Sequence, residues 1–274
     1  MAALDAVARW PAVAAVTVTD ADGTLASTGP GDAFPWASVT KLLTALTVLS
    51  TVDRGEADLD EPAGPTGSTP RHLLSHASGL APDGDTVLSP PGRRRIYSNR
   101  GIEVAADLVA GRTGADFADL LRERVLEPLG MSGTVLSGSP AHGADGPVRD
   151  LAVLGRELLA PTLVPALMAE AVRPVFPGLA GVLPGFGRQD PNDWGLGFEI
   201  RDGKSPHWTG ALNSAATFGH FGQSGSFLWV DPVAGLACAA AGDRPFGEWA
   251  AQLWPELSDA VLAELPSRLR RTAE

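Results

Sequence analysis

Between residues 12 and 28 the chain alternates. Val16 and Val18 fall on one face, Thr17 and Thr19 on the other, and Asp22-Gly23 follows as a turn, which predicts a β-hairpin. Pro35 punctuates the chain ahead of Ser38. Beyond it Leu42, Leu43, Leu46, Leu49 and Val52 recur at helical spacing until Arg54-Gly55 closes the run. Residues 53–68 are loop, rich in proline, glycine and aspartate, and Thr69-Pro70 opens a short helix with a cap followed by proline. Two helical segments flank residues 111–114 within 99–128, with Val104, Leu108, Leu120, Leu121 and Val125 as their apolar positions. Residues 137–147 read as loop, helical patterning resumes over about 148–172, and glycine and proline fill 174–193. Strand patterning returns over 194–200, 225–230 and 236–241, and a terminal helix is expected over roughly 247–270. The predicted fold class is therefore α+β. One antiparallel sheet, built from both termini (1–52 plus 195–274) and flanked by helices, carries an inserted, mostly helical domain at 53–194.

Composition narrows the function classes. A chain of 274 residues, 44% hydrophobic, can bury a substantial core. A net charge of −11 argues against nucleic acid or an anionic membrane as partner. No apolar run reaches the roughly 18 residues of a membrane helix, and the N-terminus lacks the pattern of a signal peptide, so a cytoplasmic protein is expected. The single cysteine, Cys238, supplies neither an internal disulfide nor a cysteine metal cluster, and reads as a small buried residue. Of 21 basic residues only Lys41 and Lys204 are lysine, and Tyr97 is the only tyrosine.

Three short segments could carry chemistry. Ser38-Val39-Thr40-Lys41 puts a hydroxyl and an amine on one face at a helix start, where free N–H groups favour a developing oxyanion. The competing reading is an N-cap serine beside a solvated lysine. Tyr97-Ser98-Asn99 offers a phenol whose pKa a nearby cation would lower, and an amide to hold a substrate carbonyl or Lys41; a helix cap accounts for Asn99 but not for the lone tyrosine. His220-Phe221-Gly222-Gln223 is placed just ahead of a strand, and a lone histidine there is also compatible with a structural role.

In this order the three segments resemble the serine beta-lactamase and penicillin-binding-protein superfamily, in particular its class C-like branch of esterases and D-amino-acid peptidases. Flanking stretches are similar too: Arg54-Gly55-Glu56, Thr69-Pro70-Arg71-His72-Leu73-Leu74-Ser75-His76-Ala77-Ser78-Gly79-Leu80, Glu127-Pro128-Leu129-Gly130-Met131 and Trp194-Gly195-Leu196-Gly197. The resemblance implies an acylated nucleophile at Ser38, with Lys41 and Tyr97 sharing general base and acid work. It implies that Asn99 orients the substrate, and that the N–H groups of Ser38 and Gln223 form an oxyanion hole. His220 stands where many members carry lysine, and Phe221 replaces a threonine that helps hold the carboxylate of lactams. Simple acyl esters or amides are therefore the expected small-molecule substrates, with no cofactor and no metal. Beta-lactam or D-amino-acid peptide hydrolysis, or covalent penicillin binding without turnover, are the alternatives.

Other features draw plainer expectations. His72 and His76 lie four apart on an expected helix, but without the glutamate of a zinc-binding His-Glu-x-x-His. Arg93-Arg94-Arg95 reads as a solvated loop, or else as an attractor of anionic substrate. Trp36, two residues before the serine, is the expected ring of the substrate pocket. If His220 must be charged to bind substrate, activity would fall as pH rises through about 6.5.

Overall fold

A computed structural model describes residues 1–264, so the last part of the expected terminal helix lies outside the described residues. In chain order the elements are β1 (Ala14–Thr19), β2 (Thr24–Thr28), β3 (Ala33–Pro35), α1 (Thr40–Asp53), α2 (Pro70–Leu74), α3 (Asn99–Thr113), α4 (Phe117–Leu121), α5 (Glu127–Leu129), β4 (Val135–Leu136), β5 (Ala144–Pro147), α6 (Val148–Leu159), α7 (Pro165–Ala171), β6 (Gly181–Leu183), β7 (Gly187–Gln189), β8 (Glu199–Ile200), β9 (Phe218–Gly222), β10 (Ser226–Asp231), β11 (Leu236–Gly242) and α8 (Glu248–Ala263). A 3-10 turn, Ala37–Val39, leads into α1, and a π-turn, Arg122–Leu126, joins α4 to α5.

The main sheet is antiparallel throughout, in the order β2-β1-β11-β10-β9-β8, so strands from both ends of the chain interleave at its centre. Every residue of β1, β10 and β11 is buried. The two-residue period of the strands therefore feeds two cores rather than one core and a wet face. Ala15, Leu228, Ala237 and Ala239 pack with Leu151, Leu154 and Leu158 of α6, whereas Val16, Val18, Trp229 and Cys238 pack with Trp254, Leu257 and Val261 of α8. Thr17 and Thr19 share the first of these faces and are 1% exposed. Each turns its hydroxyl onto a carbonyl, Thr17 onto Ala26 and Thr19 onto Asp20. The run of alanines in β11 and Gly155 of α6 let helix and sheet approach closely: a Cβ on Gly155 would stand 3.0 Å from that of Ala237.

Helix α6 thus lies on the sheet, although its residues fall within the span expected to be the helical insert. The helices α1, α2, α3 and α4 pack on one another beside it. Helix α3 continues through Gly111 and stops at Gly114, whose φ of +72° terminates it in the left-handed region. Two small sheets, β3-β5-β4 and β6-β7, accompany the main one, and β5, β6 and β7 occupy stretches that read as loop. The strand expected over 194–200 shortens to β8. The segment His220-Phe221-Gly222 lies just ahead of β10, as expected, and itself forms the end of β9. No helix among the described residues is long and apolar enough to cross a membrane.

Candidate active site

Ser38 sits in the tight turn that feeds α1, one residue after Ala37, whose φ of +42° is unfavourable for a residue with a Cβ. Neighbouring contacts hold that turn. Ser226 Oγ donates to the Trp36 carbonyl at 2.7 Å and Ser224 Oγ to the Pro35 carbonyl at 2.6 Å. Gly222 leaves room at this junction, since a Cβ there would stand 2.3 Å from the Trp36 oxygen. The helix makes no side-chain cap at its start, so Ser38 is not an N-cap serine. Lys41 is fully buried in the first turn of α1, so it is not a solvated lysine either.

The lysine amine makes three contacts: Ser38 Oγ at 3.0 Å, Asn99 Oδ1 at 2.8 Å and the Ala141 carbonyl at 2.9 Å. Burial lowers its pKa from 10.5 to about 7, against the opposing pull of Glu103 and Asp83. A neutral amine has two N–H groups and one lone pair. With Asn99 and Ala141 accepting the two protons, the lone pair is left facing Ser38 Oγ.

Tyr97 and Asn99 arrive from the start of α3. Ser98 is the cap of that helix, its Oγ accepting from Gly101 N at 3.0 Å, which frees Asn99 for Lys41. The other end of the Asn99 amide donates to Asp83 Oδ1 at 3.0 Å. Tyr97 Oη donates to Ser38 Oγ at 2.7 Å, and the lysine amine lies 4.7 Å from the centre of the phenol ring. The expected depression of the Tyr97 pKa does not occur. Burial of the phenol raises it well above the ordinary value and outweighs its bond to Ser38, so Tyr97 keeps its proton and Lys41 is the group poised to accept one.

Ser38, Tyr97, Asn99, His220 and Gln223 line one cavity of about 180 Å³, together with Trp194 and Glu199. His220 is buried, and its Nδ1 lies 2.7 Å from the Phe221 carbonyl. A carbonyl only accepts, so Nδ1 carries the proton and Nε2, which has no partner among the described residues, presents a lone pair. Burial and the nearby Lys41 push the His220 pKa down to about 3. The expectation of a histidine titrating near 6.5 is therefore overturned. Phe221 packs into the aromatic core between Phe246 and Trp254.

Trp36 stands outside the cavity. Its ring is fully buried and its indole N–H donates to the Gly146 carbonyl at 2.9 Å, bracing the turn beneath the serine. The pocket ring is Trp194, which lies 5.8 Å from Tyr97 and 5.4 Å from His220, centre to centre.

His76 was not read as a site residue, yet its ring centre is 4.6 Å from that of Tyr97 and 4.6 Å from that of Trp194. It lies past the end of α2 with φ +56°, and its Nδ1 accepts from Ser98 N at 3.2 Å. His72 instead stacks on Phe176 at 4.2 Å, so the two histidines do not share a helix face. Among the described residues no group of three or more His, Cys, Asp or Glu is placed to hold a metal.

In the cavity wall Glu199 is held ionised, far below its ordinary pKa, because Lys204 and His207 outweigh the cost of its burial. It pairs with Lys204 and accepts from Trp208 Nε1 at 3.0 Å, and His207 Nε2 lies 2.9 Å from its second oxygen. Only the spacing of the second lysine, five residues after Glu199, hinted at this group. Arg95 is not solvated. It is 2% exposed, and its guanidinium donates to the carbonyls of Ser75, Val175, Phe176 and Asn192, tying the chain before Tyr97 to the 175–192 segment.

The Beta-lactamase family profile matches residues 1–262. The chain belongs to the beta-lactamase family. A beta-lactamase from Mycobacterium bovis is 54% identical in sequence and superposes with a TM-score of 0.94 over 96% of this chain and 99% of its own. The fold extends to distant relatives at 18% identity. The Aspergillus terreus simvastatin synthase LovD, in a mutant form, matches with a TM-score of 0.79 over 97% of this chain and 98% of its own. EstCE1, a hydrolase with promiscuous acyltransferase activity, matches with 0.75 over 95% and 96%. The Escherichia coli K12 D-alanyl-D-alanine-carboxypeptidase/endopeptidase AmpH is 26% identical over 141 residues, 38% of this chain; the match spans little more than a third of that protein, 37%.

Proposed function

We propose that this family member is a serine hydrolase that cleaves small esters or amides through an acyl-enzyme on Ser38. The observation that carries the reading is the Lys41 amine, buried, with a pKa near 7 and its nitrogen 3.0 Å from Ser38 Oγ. Ser38 Oγ attacks the substrate carbonyl while its proton passes to Lys41, forming the C–O bond and a tetrahedral oxyanion. The backbone N–H groups of Ser38 and Gln223 receive that oxyanion. As the intermediate collapses, Tyr97 gives its proton to the departing oxygen or nitrogen and recovers one from the Lys41 ammonium. Water then repeats the sequence on the acyl-enzyme, with Lys41 again taking the proton, and releases the acid and free Ser38. No cofactor takes part in these steps.

His220 favours uncharged substrates at its position. Its Nε2 is a buried acceptor without a permanent charge, and Phe221 has no hydroxyl, so a substrate carboxylate finds no donor there. A hydroxyl or amide N–H on the substrate fits it. The second reading, beta-lactam hydrolysis, is favoured by the 54% identity to the M. bovis protein, and D-alanyl peptide cleavage by the partial match to AmpH. Initial rates on short-chain 4-nitrophenyl esters, a chromogenic cephalosporin and a D-alanyl amide, with Ser38→Ala as control, decide among them. Ester turnover lost in Ser38→Ala supports the proposal. A single stoichiometric burst with no turnover supports covalent binding instead, and ester cleavage that survives in Ser38→Ala refutes the serine mechanism.

A further inference from the structure

A second, larger hollow of about 690 Å³ adjoins the catalytic cavity, and Tyr97 and Pro184 border both. Its walls divide by chemistry. Leu88 and Val182, each more than half exposed, offer an apolar path, whereas Arg93, Arg94 and Arg188 line the same hollow. Arg93 and Arg94 are exposed and make no ion pair among the described residues, and Arg188 is held by Asp190 at 2.9 Å. Asp85, in the acidic turn at 83–85, is paired with Arg100 rather than with Arg93 or Arg94. In a chain of net charge −11, these arginines line a hollow that shares Tyr97 and Pro184 with the catalytic cavity.

We propose that this hollow is a substrate subsite for an apolar chain that ends in a carboxylate, the chain lying along Leu88 and Val182 and the carboxylate meeting Arg93 and Arg94. The inference rests on the Ser38 acyl-enzyme reading and narrows its substrate class. Guanidinium groups suit a carboxylate because two parallel N–H donors match its two oxygens. The apolar spacer sets this apart from a compact anion held beside the nucleophile, where His220 and Phe221 supply no cation.

The test compares esters of equal length. Mono-4-nitrophenyl suberate and 4-nitrophenyl octanoate place the carboxylate, or a methyl, at the end of the acyl chain. The acetate esters of 8-hydroxyoctanoate and of octanol place it on the leaving group. Wild type is expected to prefer the anionic member of one pair in kcat/KM. The Arg93→Gln/Arg94→Gln variant is expected to lose roughly five- to thirty-fold of that preference, the range for two partly exposed charge-assisted contacts, with rates on the neutral ester unchanged. Raising the salt concentration should shrink the wild-type preference as well. Equal preference ratios in wild type and variant, or no anionic preference in either pair, overturn the subsite. If no ester is turned over, the acyl-enzyme reading fails by itself. Calorimetric binding of monomethyl suberate against methyl octanoate to Ser38→Ala then decides the subsite: anion-selective binding lost in the arginine variant upholds it, and indifference refutes it.

Discussion

The protonation state of Lys41 sets the rate in this scheme. Burial lowers its pKa from 10.5 to about 7, so the amine is about one-tenth neutral at pH 6 and nine-tenths neutral at pH 8. If the neutral amine is the base, kcat/KM for a 4-nitrophenyl ester should rise about tenfold per pH unit below the midpoint and level off above about pH 8. The composition makes the titration directly observable. With only Lys41 and Lys204 in the chain, 13C-lysine labelling yields two side-chain signals, and Lys41→Met assigns them. The signal lost in that variant should titrate with the same midpoint as the rate. The sign can be tested too. Glu103 holds the Lys41 pKa up, so Glu103→Gln should move both midpoints down by roughly half a pH unit, the size of a partly screened charge. A rate independent of pH between 6 and 8, a Lys41 signal that titrates near 10, or an upward shift in Glu103→Gln would refute the assignment of the base.

Lys41 also has a stability signature. Between pH 7 and 9 the unfolded chain keeps the lysine proton that the folded protein has released, so stability rises with pH. Urea unfolding should show wild type gaining about 2 kcal/mol over that interval relative to Lys41→Met, the difference integrated from a pKa of 10.5 unfolded and about 7 folded. Arg95→Met should destabilise by about 3–5 kcal/mol in the same assay, because it leaves buried carbonyls at Ser75, Val175, Phe176 and Asn192 without their donor. Gly222→Ala should cost about 1–3 kcal/mol and at least tenfold in kcat/KM, since its Cβ would press on the Trp36 carbonyl beneath the nucleophile. His220→Gln should leave the acidic limb of the pH–rate profile in place, because the histidine is already neutral above about pH 3; a limb that vanishes in this variant would return the titration to His220.

The parts legible in the sequence were those written in local spacing. The hairpin at 14–28, the helix after Ser38 and the terminal strand pair follow from periods of two and of three to four. Ser38, Lys41, Tyr97 and Asn99 could be singled out because lysine and tyrosine are scarce and the motifs keep family order. What spacing does not carry is depth. Arg95 sits in a run of three arginines that looks wet, and only the fold shows that its side chain enters a cage of carbonyls. The Tyr97 pKa went the other way for the same reason: proximity to a cation was foreseeable, but the larger cost of desolvating a buried phenolate was not. His76 and Trp194 flank Tyr97 through contacts between distant segments, as does the group around Glu199. Trp36 was misplaced because nearness along the chain does not say on which side of a turn a ring will lie.

Strand β1 lies between β2 and β11, and β11 is the last strand of the sheet. During synthesis β1 and β2 emerge long before β11, so the inner edge of β1 has no partner until the chain has been extended to Leu236–Gly242. Ser38 and Lys41 are likewise present long before β9 brings Gly222 and Gln223 to them. On the serine-hydrolase proposal, Ser38 is thus kept apart from its strand partner until β10 and β11 are made, and activity should appear in a single step with completion of that hairpin. The exposed edge of β1 in that interval is where a nascent chain would be captured by another copy or by a chaperone.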